Sequence, residues 1–446
     1  MNRRLTLVSS VAGAVVVALD GTVLTVAQPT LQRELHASFA EVQWTSTAYL
    51  IAVASLLVFA GRLADRYGQR RMFGLGMLGF GAASAGIGCA PGIGWVIGLR
   101  VAQGVFGALL QPATLGMLRT ACPPDRLAKP LAVRTAAVGL AAAAGPLVGG
   151  ALVTGLGWRA VFFLHVVPTA AFGVLALAGR EPRPAVRTPL DGPGALLLAV
   201  TLAALVHGLV TGAAASLGVA VVTGAVFVRH ERRTASPLLP PGVIGVPAVG
   251  AALGVLVTAS AALFGTLFVA VYVLQRTLGL DPFASALRGL PLAVLMVASA
   301  ALCPVLLRRY GPRRTIAAAM ALLAVGVLLL TRPSAALALY GGFAALGAGF
   351  GTVMVAATQV VVRQADAGSA GVAGGSQQTA LNIGPVLGVA VAGALLPSGA
   401  TEPLLVLGFL AALGVALARP LPGASPIASV TPHADERDRS PLPARR

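Results

Sequence analysis

Long apolar runs alternate with short charged segments along the whole chain. A run of about 20 apolar residues is long enough to cross a bilayer as a helix. Lipid offers the backbone no hydrogen-bonding partner, and the runs lack the alternation of a barrel strand, so they predict membrane-spanning helices. We predict fourteen spans, at residues 5–27, 41–61, 72–90, 92–118, 131–154, 158–178, 190–208, 212–228, 247–275, 284–306, 314–331, 335–361, 370–396 and 403–418.

The composition agrees with this interpretation. Hydrophobic residues make up 57% of the 446 residues and charged residues 10%, whereas a soluble domain has about 25% charged residues. The chain is therefore predicted to be an all-α polytopic membrane protein embedded in the lipid bilayer. Its net charge of +18 is typical of nucleic-acid partners. However, the arginines form short clusters between apolar runs, so no nucleic-acid partner is expected.

The basic residues predict the orientation in the membrane, because cytoplasmic loops concentrate Lys and Arg. With the N-terminus inside, the inner segments carry 26 of the 32 Lys and Arg residues and the outer loops carry 5. Both termini are therefore predicted to be cytoplasmic. Removing the pair of spans at 190–228 would leave the bias unchanged, so the charge count does not distinguish twelve spans from fourteen.

One predicted cytoplasmic loop, Gly61–Arg71, holds four arginines and Asp65. A second copy without the aspartate follows at residues 308–314, and the segment Gly145-Pro146 recurs as Gly384-Pro385 at nearly the same spacing. The chain is therefore predicted to contain two related six-helix bundles. Two such repeats with a site between them at the membrane midplane describe one class of secondary transporters.

The repeat predicts four regions. Residues 1–180 form the N-terminal six-helix bundle, and residues 181–245 hold two inserted spans and a cytoplasmic linker. Residues 246–420 form the C-terminal six-helix bundle, and residues 421–446 form a cytoplasmic tail whose Pro, Ser and charged residues predict disorder.

Five stretches resemble motifs of the major facilitator superfamily, in particular of its fourteen-span drug:proton antiporters. They lie in the expected order over residues 10–420 and comprise Leu19–Pro29, Gly61–Arg71, Leu99–Gly104, Gly139–Gly150 and Trp158–Pro168. The resemblance implies two six-helix bundles plus two inserted spans, and transport without a cofactor, driven by a proton gradient. His165 departs from the subfamily pattern, which usually has Asn there.

Asp20 is the only carboxylate, and Arg100 the only arginine, deep inside a predicted span. Counting 1.5 Å per residue from the predicted span ends places both about 12 Å below the outer surface. Charges at such depth need a partner or a water-filled cavity, so we expect an ion pair or a shared cavity. The functional hypothesis is that Asp20 carries the coupling proton and Arg100 modulates it. The alternative is a structural pair that joins two helices.

The resemblance implies that the loop Gly61–Arg71 gates the cytoplasmic side. The residues assigned to this clamp are the glycines, the aspartate and three arginines, namely Gly61, Asp65, Arg66, Gly68, Arg70 and Arg71. The alternative is an orientation signal alone. Because the second copy lacks the aspartate, gating is predicted to be asymmetric.

The resemblance also links the fifth-span motif, Gly145, Pro146, Gly149 and Gly150, to antiport. Small residues there are expected to let helices of opposite bundles approach closely, and Pro146 is expected to let the span bend. Ordinary packing of a glycine-rich helix is the alternative.

Polar residues inside spans are candidates for the substrate cavity, with hydrogen bonding between helices as the alternative. They are Gln103, Gln111, Thr114, Gln359, Gln377, Gln378 and Asn382. His165 and His207 also lie in spans and are expected to be hydrogen-bonded interior residues. The cysteines have no metal-ligand spacing, so no metal site is predicted.

These observations predict a proton-coupled antiporter that exports hydrophobic or amphipathic small molecules from a bacterial cell. We expect a monomer in the plasma membrane. A proton symporter or uniporter of the same fold is the alternative within transport. A receptor or a membrane enzyme is the alternative outside it, but no sensory domain and no cluster of catalytic residues is recognisable. Spans nine to fourteen hold no buried carboxylate, which favours neutral, weakly acidic or monocationic substrates over dications.

Overall fold

The computed structural model describes residues 3–121, 128–178, 190–234, 237–238, 246–333, 335–364 and 370–421. Residues 422–446 of the predicted tail, and residues 235–236 and 239–245 of the polar linker, lie outside the described residues. The regular structure of the described part is helical. The helices are α1 (Arg3–Glu34), α2 (Phe39–Tyr67), α3 (Gln69–Gly88), α4 (Ile93–Ala121), α5 (Ala128–Leu156), α6 (Arg159–Leu177), α7 (Gly192–Thr211), α8 (Ala214–Glu231), α9 (Pro247–Tyr272), α10 (Pro282–Arg288), α11 (Leu290–Leu329), α12 (Ala336–Gln364), α13 (Ala370–Leu395) and α14 (Thr401–Leu417). A π-helical turn, Val273–Thr277, extends α9, and a 3₁₀ turn, Leu396–Ser398, follows α13.

Most helix ends lie within a few residues of the predicted span ends, although α1 continues to Glu34 instead of ending at residue 27. Ten helical stretches among the described residues are long and apolar enough to cross a membrane. The all-helical polytopic fold is thus confirmed, whereas the count of fourteen spans is not. The two numbers differ because α3, α8 and α14 fall outside the ten and Pro282–Leu329 counts as one stretch.

Local sequence explains several helix boundaries. At the start of α2, Glu41 N donates to Ser38 Oγ at 3.3 Å and Ser38 N donates to Glu41 Oε2 at 2.8 Å, which forms a capping box. Gly68 joins α2 to α3 with φ 104°, and Gly311 has φ 76° inside α11. Because positive φ is unfavourable for residues with a Cβ, glycine permits the turn in both copies of the loop. Helix α11 is therefore two helices joined at a kink at Gly311.

Two bundles have separate cores. In the first bundle α1 packs on α5, α2 on α4, and α3 on α4 and α6. In the second bundle α9 packs on α13, and α11 on α12 and α14. The first bundle has two hydrophobic clusters, built around Phe73 and Phe80 and around Trp158 and Phe162. The second bundle has one continuous cluster that runs through its long helices.

The hairpin of α7 and α8 packs on both bundles. Helix α7 contacts α2 of the first bundle and α13 of the second. Ile51, Leu198 and Val386, one from each of these helices, share a buried cluster. At the start of α7, Asp191 Oδ1 lies 2.8 Å from His230 Nε2 of α8. The hairpin is thus fastened to itself at one end and lies across the seam between the bundles.

We call the end of the molecule that holds Gly61–Arg71 the loop end, and the opposite end the far end. At the far end, Gln43 Nε2 of α2 donates to the Val389 carbonyl of α13 at 2.9 Å. In return, Gln275 Nε2 donates to the Val26 carbonyl of α1 at 3.1 Å. Each bundle therefore gives one side-chain amide to the backbone of the other. The same end has an aromatic cluster across the seam, formed by Phe39, Phe268 and Tyr272.

Candidate functional site

Asp20 and Arg100 meet in the first bundle. Arg100 Nη1 lies 2.7 Å from Asp20 Oδ2, and both residues are 1% exposed. Asp20 comes from the middle of α1 and Arg100 from the second turn of α4. Because α1 ends at Glu34, a depth counted along the helix from this end would place Asp20 several ångströms deeper than Arg100. Their contact instead depends on how α1 and α4 pack.

Gln103 connects the ion pair to a third helix. Its amide Nε2 donates to Asp20 Oδ1 at 3.0 Å and to Ser84 Oγ of α3 at 2.8 Å. Its Oε1 accepts from Arg100 Nη1 at 2.6 Å. Both carboxylate oxygens of Asp20 therefore have a donor. Gln103, a cavity candidate by sequence, is 0% exposed and belongs to the charge network.

Helix α2 supplies the remaining contacts of Arg100. Its Nε donates to the Thr45 carbonyl at 2.8 Å. Its guanidinium carbon lies 4.2 Å from the centroid of the Tyr49 ring, which is a cation–π contact. Removing two charges from water costs several kcal/mol per ion unless further hydrogen bonds satisfy them. Four helices, α1 to α4, supply those groups here.

This arrangement is suited to responding to a proton. An ionised carboxylate only accepts hydrogen bonds, whereas a protonated one must also donate. Adding a proton to Asp20 would therefore remove its charge and one acceptor position, and would weaken its contacts with Arg100 and Gln103 together. The helices that hold these partners would then be less tightly joined.

The two histidines differ in their surroundings. His165 is 1% exposed, its ring lies 5.9 Å from that of Phe80, and neither ring nitrogen has a hydrogen-bond partner among the described residues. The expectation of a hydrogen-bonded interior histidine is therefore wrong for His165. His207 Nδ1 lies 2.9 Å from Ser216 Oγ in an exposed position, so it has a hydrogen bond but is not interior.

The loop Gly61–Arg71 is held by neighbouring backbone groups. Asp65 Oδ1 accepts from Gln69 Nε2 at 2.7 Å, and Arg70, which is 8% exposed, donates to the Leu175 carbonyl of α6 at 3.1 Å. Arg62 donates to the Pro237 carbonyl at 2.7 Å, which joins the loop to the segment after α8. The remaining clamp residues lie at the same loop end: Gly61, Arg66, Gly68 and Arg71. Their gating role stays a prediction.

The glycines of the fifth-span motif face two different helices. A methyl group at Gly145 would collide with the Thr22 side chain, and one at Gly149 would lie 2.8 Å from Val23, both on α1 of the same bundle. At Gly150 it would lie 2.8 Å from Phe283 of α10, in the opposite bundle. Of these three glycines, Gly150 alone abuts the other bundle. Pro146 lies inside α5 as predicted.

The other cavity candidates are spread over both bundles. Thr114 Oγ1 donates to the Gln111 carbonyl at 2.8 Å. Gln377 Nε2 donates to Thr358 Oγ1 at 2.7 Å, and Asn382 Nδ2 donates to the Gln378 carbonyl at 2.7 Å. Hydrogen bonds within and between helices thus occupy several of these groups. The partly buried members of the set are Gln111, Gln359, Gln377 and Gln378.

Sequence reasoning missed several groups. Tyr49, Thr45 and Ser84 complete the charge network but have ordinary surroundings in the sequence, and Thr45 contributes only a carbonyl. Arg134 is one of the 26 basic residues assigned to the inner segments, but it lies in the second turn of α5 and contacts α4. In the sequence, Arg134 follows Lys129 by five residues and begins an uncharged run that continues to Arg159, and this position indicates that Arg134 belongs to the helix.

Comparison with known sequences gives the family. The sequence model described as the Major Facilitator Superfamily matches residues 11–389 and, in a second match, residues 253–444. The chain belongs to the Major Facilitator Superfamily. This major facilitator has many apolar helices and bacterial relatives, and is a multi-pass protein of the plasma membrane.

Three curated relatives are export or resistance proteins. The chain is 37% identical over 407 residues to the tetracenomycin C resistance and export protein of Streptomyces glaucescens, which covers 88% of this chain and 76% of the relative. It is 35% identical to the puromycin resistance protein pur8 of Streptomyces alboniger, over 86% of this chain and 80% of the relative. It is 31% identical to the multidrug efflux pump LfrA of Mycolicibacterium smegmatis, over 85% and 78%.

Two solved structures share the fold at low sequence identity. A bacterial homologue of the human lysosomal transporter Spinster, in an inward-facing and unoccupied conformation, matches with TM-score 0.66 and 18% identity, over 93% of this chain and 95% of that one. A peptide transporter of the POT type with bound sulfate matches with TM-score 0.67 and 17% identity, over 92% and 93%. These matches support the helical major-facilitator fold.

Proposed function

We propose that this chain is a proton-coupled antiporter that exports hydrophobic or amphipathic small molecules by alternating access. The observation that carries the proposal is the buried network of Asp20, Arg100 and Gln103 in a chain whose relatives are named as antibiotic and multidrug export proteins. The network contains the one carboxylate that is buried deep within the described helical bundles. Asp191 and Glu231, the other buried acids of the described residues, lie at the ends of α7 and α8.

In this mechanism Asp20 takes up a proton from outside and releases it to the cytoplasm. The uptake loosens the contacts of α1 with α4, and the bundles rock about a cavity between them. The loop end faces the cytoplasm, because its segments carry most of the arginines. The far end is joined by the reciprocal amide bonds of Gln43 and Gln275. The bundles are therefore closed against each other at the end that this mechanism assigns to the outside.

We also propose fourteen spans with both termini in the cytoplasm. The kink at Gly311 divides the stretch Pro282–Leu329 in two. Helices α3, α8 and α14, with 20, 18 and 17 residues, supply three more. Single-cysteine variants at Arg71 and Trp95, labelled with an impermeant maleimide in intact cells, test the orientation. Labelling at Trp95 alone is expected, and labelling at Arg71 would contradict it.

Dye efflux from energised cells, with and without an uncoupler, tests the function. Ethidium efflux is expected to stop when the proton gradient collapses, and to be lost in Asp20→Asn. Glu34→Gln changes an exposed carboxylate at the far end and is the matched control, with efflux expected near wild type. Efflux that continues without the gradient would rule out antiport. Uptake of dye together with protons would indicate the symporter alternative.

A further inference from the structure

Arg134 is an arginine inside the first bundle that pairs with no acid among the described residues. It lies in the second turn of α5 and is partly buried. One guanidinium nitrogen, Nη2, donates to Thr114 Oγ1 of α4 at 2.9 Å. The Nε is buried and has no acceptor among the described residues. One of its donor groups is therefore unsatisfied in this arrangement of the described residues.

The groups next to Arg134 are neutral. Thr114 is fully buried, its hydroxyl donates to the Gln111 carbonyl, and its own carbonyl accepts from Ser10 Oγ of α1 at 2.7 Å. The neighbouring Ser9 has a fully buried hydroxyl with no partner in the described part of the chain. Thr114 thus links Arg134 of α5 to Ser10 of α1 through neutral groups.

The acids of the described residues that form ion pairs pair elsewhere. Asp20 pairs with Arg100, Glu34 with Arg159 and Asp191 with His230. No described carboxylate lies within 4 Å of Arg134. A partly desolvated guanidinium without an acid is unfavourable unless an anion joins it. Arg100 has such an acid, whereas Arg134 has an unfilled position for one.

Arg134 lies nearer the loop end than the charge network does. Thr114 follows Gln103 by eleven residues on α4, which is about three helical turns and about 16 Å towards the loop end. Ser10 precedes Asp20 by ten residues on α1, about 15 Å in the same direction. On α4 the separation of eleven residues puts Thr114 and Gln103 on the same helix face. A molecule that enters from the loop end would therefore reach Arg134 before it reaches Asp20.

We propose that Arg134 binds an acidic oxygen, a carboxylate or phenolate, of the exported molecule. The inference rests on the proposed export function and names its substrate class as weakly acidic compounds. A guanidinium binds an oxyanion by short charge-assisted hydrogen bonds, and its planar fork can hold two oxygens. Lysine offers a point charge and does not reproduce this geometry.

Binding of a matched pair of ligands tests the proposal. The probes are anthraquinone-2-carboxylic acid and its methyl ester, measured by tryptophan quenching on the full chain in phosphatidylcholine nanodiscs. Wild type is expected to bind the acid at least about tenfold more tightly than the ester, equivalent to about 1.4 kcal/mol. Arg134→Gln is expected to remove this preference and leave ester affinity unchanged. Arg134→Lys is expected to retain part of it.

The controls separate the possible failures. Arg159→Gln, which removes an exposed arginine at the far end, is expected to keep the preference for the acid. Unchanged ester affinity and an unchanged melting temperature show that Arg134→Gln is folded. An equal acid-to-ester ratio in wild type and Arg134→Gln would overturn the proposal. If Arg134→Gln fails to fold, Arg134→Lys alone decides: its acid preference must fall below that of wild type.

A lipid phosphate is the other source of an oxyanion. Nanodiscs that contain phosphatidylglycerol distinguish a lipid from a substrate. The substrate assignment would be overturned if this lipid abolished the acid preference of wild type and if native mass spectrometry found it bound to wild type but not to Arg134→Gln. Binding is measured without a proton gradient. Wild-type efflux that continues after the proton gradient collapses, together with an intact acid preference, would therefore refute the antiport proposal and leave the Arg134 site standing.

Discussion

The two bundles share one helical arrangement but differ in what they bury. Tyr67 and Tyr310 are 243 residues apart, and the same spacing leads from Asp20 to Leu263. Arg119 and Arg363 are 244 residues apart, and that spacing leads from Arg100 to Ala344. Leu263 is 3% exposed and belongs to the continuous core of the second bundle. One bundle therefore buries a charged network where the other buries a hydrocarbon core. The duplicated fold is compatible with both, so the fold alone does not require the ion pair.

Space between helices accompanies this difference. The position equivalent to Gln103, at a spacing of 244, is Gly347, where a methyl group would collide with the Leu292 carbonyl of α11. Helix α12 thus approaches α11 too closely for a side chain, whereas α4 leaves room for an amide. Where the second repeat lacks the polar network, its helices α11 and α12 pack more closely.

The largest effect is expected from removing one partner of the buried pair. Arg100→Met leaves Asp20 without its charged partner, and breaking a buried pair in this way costs about 3–5 kcal/mol of unfolding free energy. Arg159→Gln removes an arginine from the exposed pair with Glu34 and is expected to cost about 0–1 kcal/mol. Thermal unfolding of the purified proteins in detergent measures both. Similar losses in the two variants would contradict the difference between buried and exposed charges.

The second effect concerns the amide that joins the pair to α3. Gln103→Met keeps the volume but removes a donor to Asp20 and to Ser84, and is expected to cost about 1.5–3 kcal/mol, the range for a hydrogen bond to a charged group. It is also expected to slow efflux at saturating dye. Gln111→Met, on the same helix but outside the network, is the control. A Gln103→Met protein as stable as the control would show that the Gln103 amide does not stabilise the ion pair.

A smaller effect is expected where the two bundles are alike. Gly68→Ala and Gly311→Ala each place a Cβ at positive φ, which costs about 1–2 kcal/mol. Gly21→Ala is the control, because a methyl group there meets no atom within 4 Å and φ is helical. The same unfolding assay measures all three. A loss confined to Gly68→Ala would mean that the two copies of the loop are not equivalent in the fold.

The smallest stability effect is expected at the seam between the bundles. Gln43→Ala and Gln275→Ala each remove one hydrogen bond, worth about 1 kcal/mol. Since the bond exists only when the far end is closed, its loss shifts the population towards the outward-open state by about fivefold. Double electron–electron resonance between spin labels on the far ends of α2 and α13 measures this shift. An unchanged distance distribution in both variants would show that the two amides do not hold the far end closed.

Much of the fold was predictable from local pattern. The apolar runs locate α2, α4 and α7 to within a few residues, except at the loop end of α2. The spacing of Tyr67 and Tyr310 indicates the repeat, and the positive φ angles of Gly68 and Gly311 agree with it. Asp20 and Arg100 were predictable because a charge inside an apolar run is rare. The glycine motif was predictable as a motif, but not which helix each glycine faces.

The sequence by itself determined the membrane class, the helices and the isolated charges, because hydropathy and charge are properties of each segment and need no partner. Tertiary structure decided the partners: Gln103 as a bridge, Tyr49 over the guanidinium, the exchange of amides by Gln43 and Gln275, and Arg134 without an acid. These contacts join residues far apart in the chain. They depend on the rotation and depth of the packed helices. A shift of one residue in the register of a helix would change both.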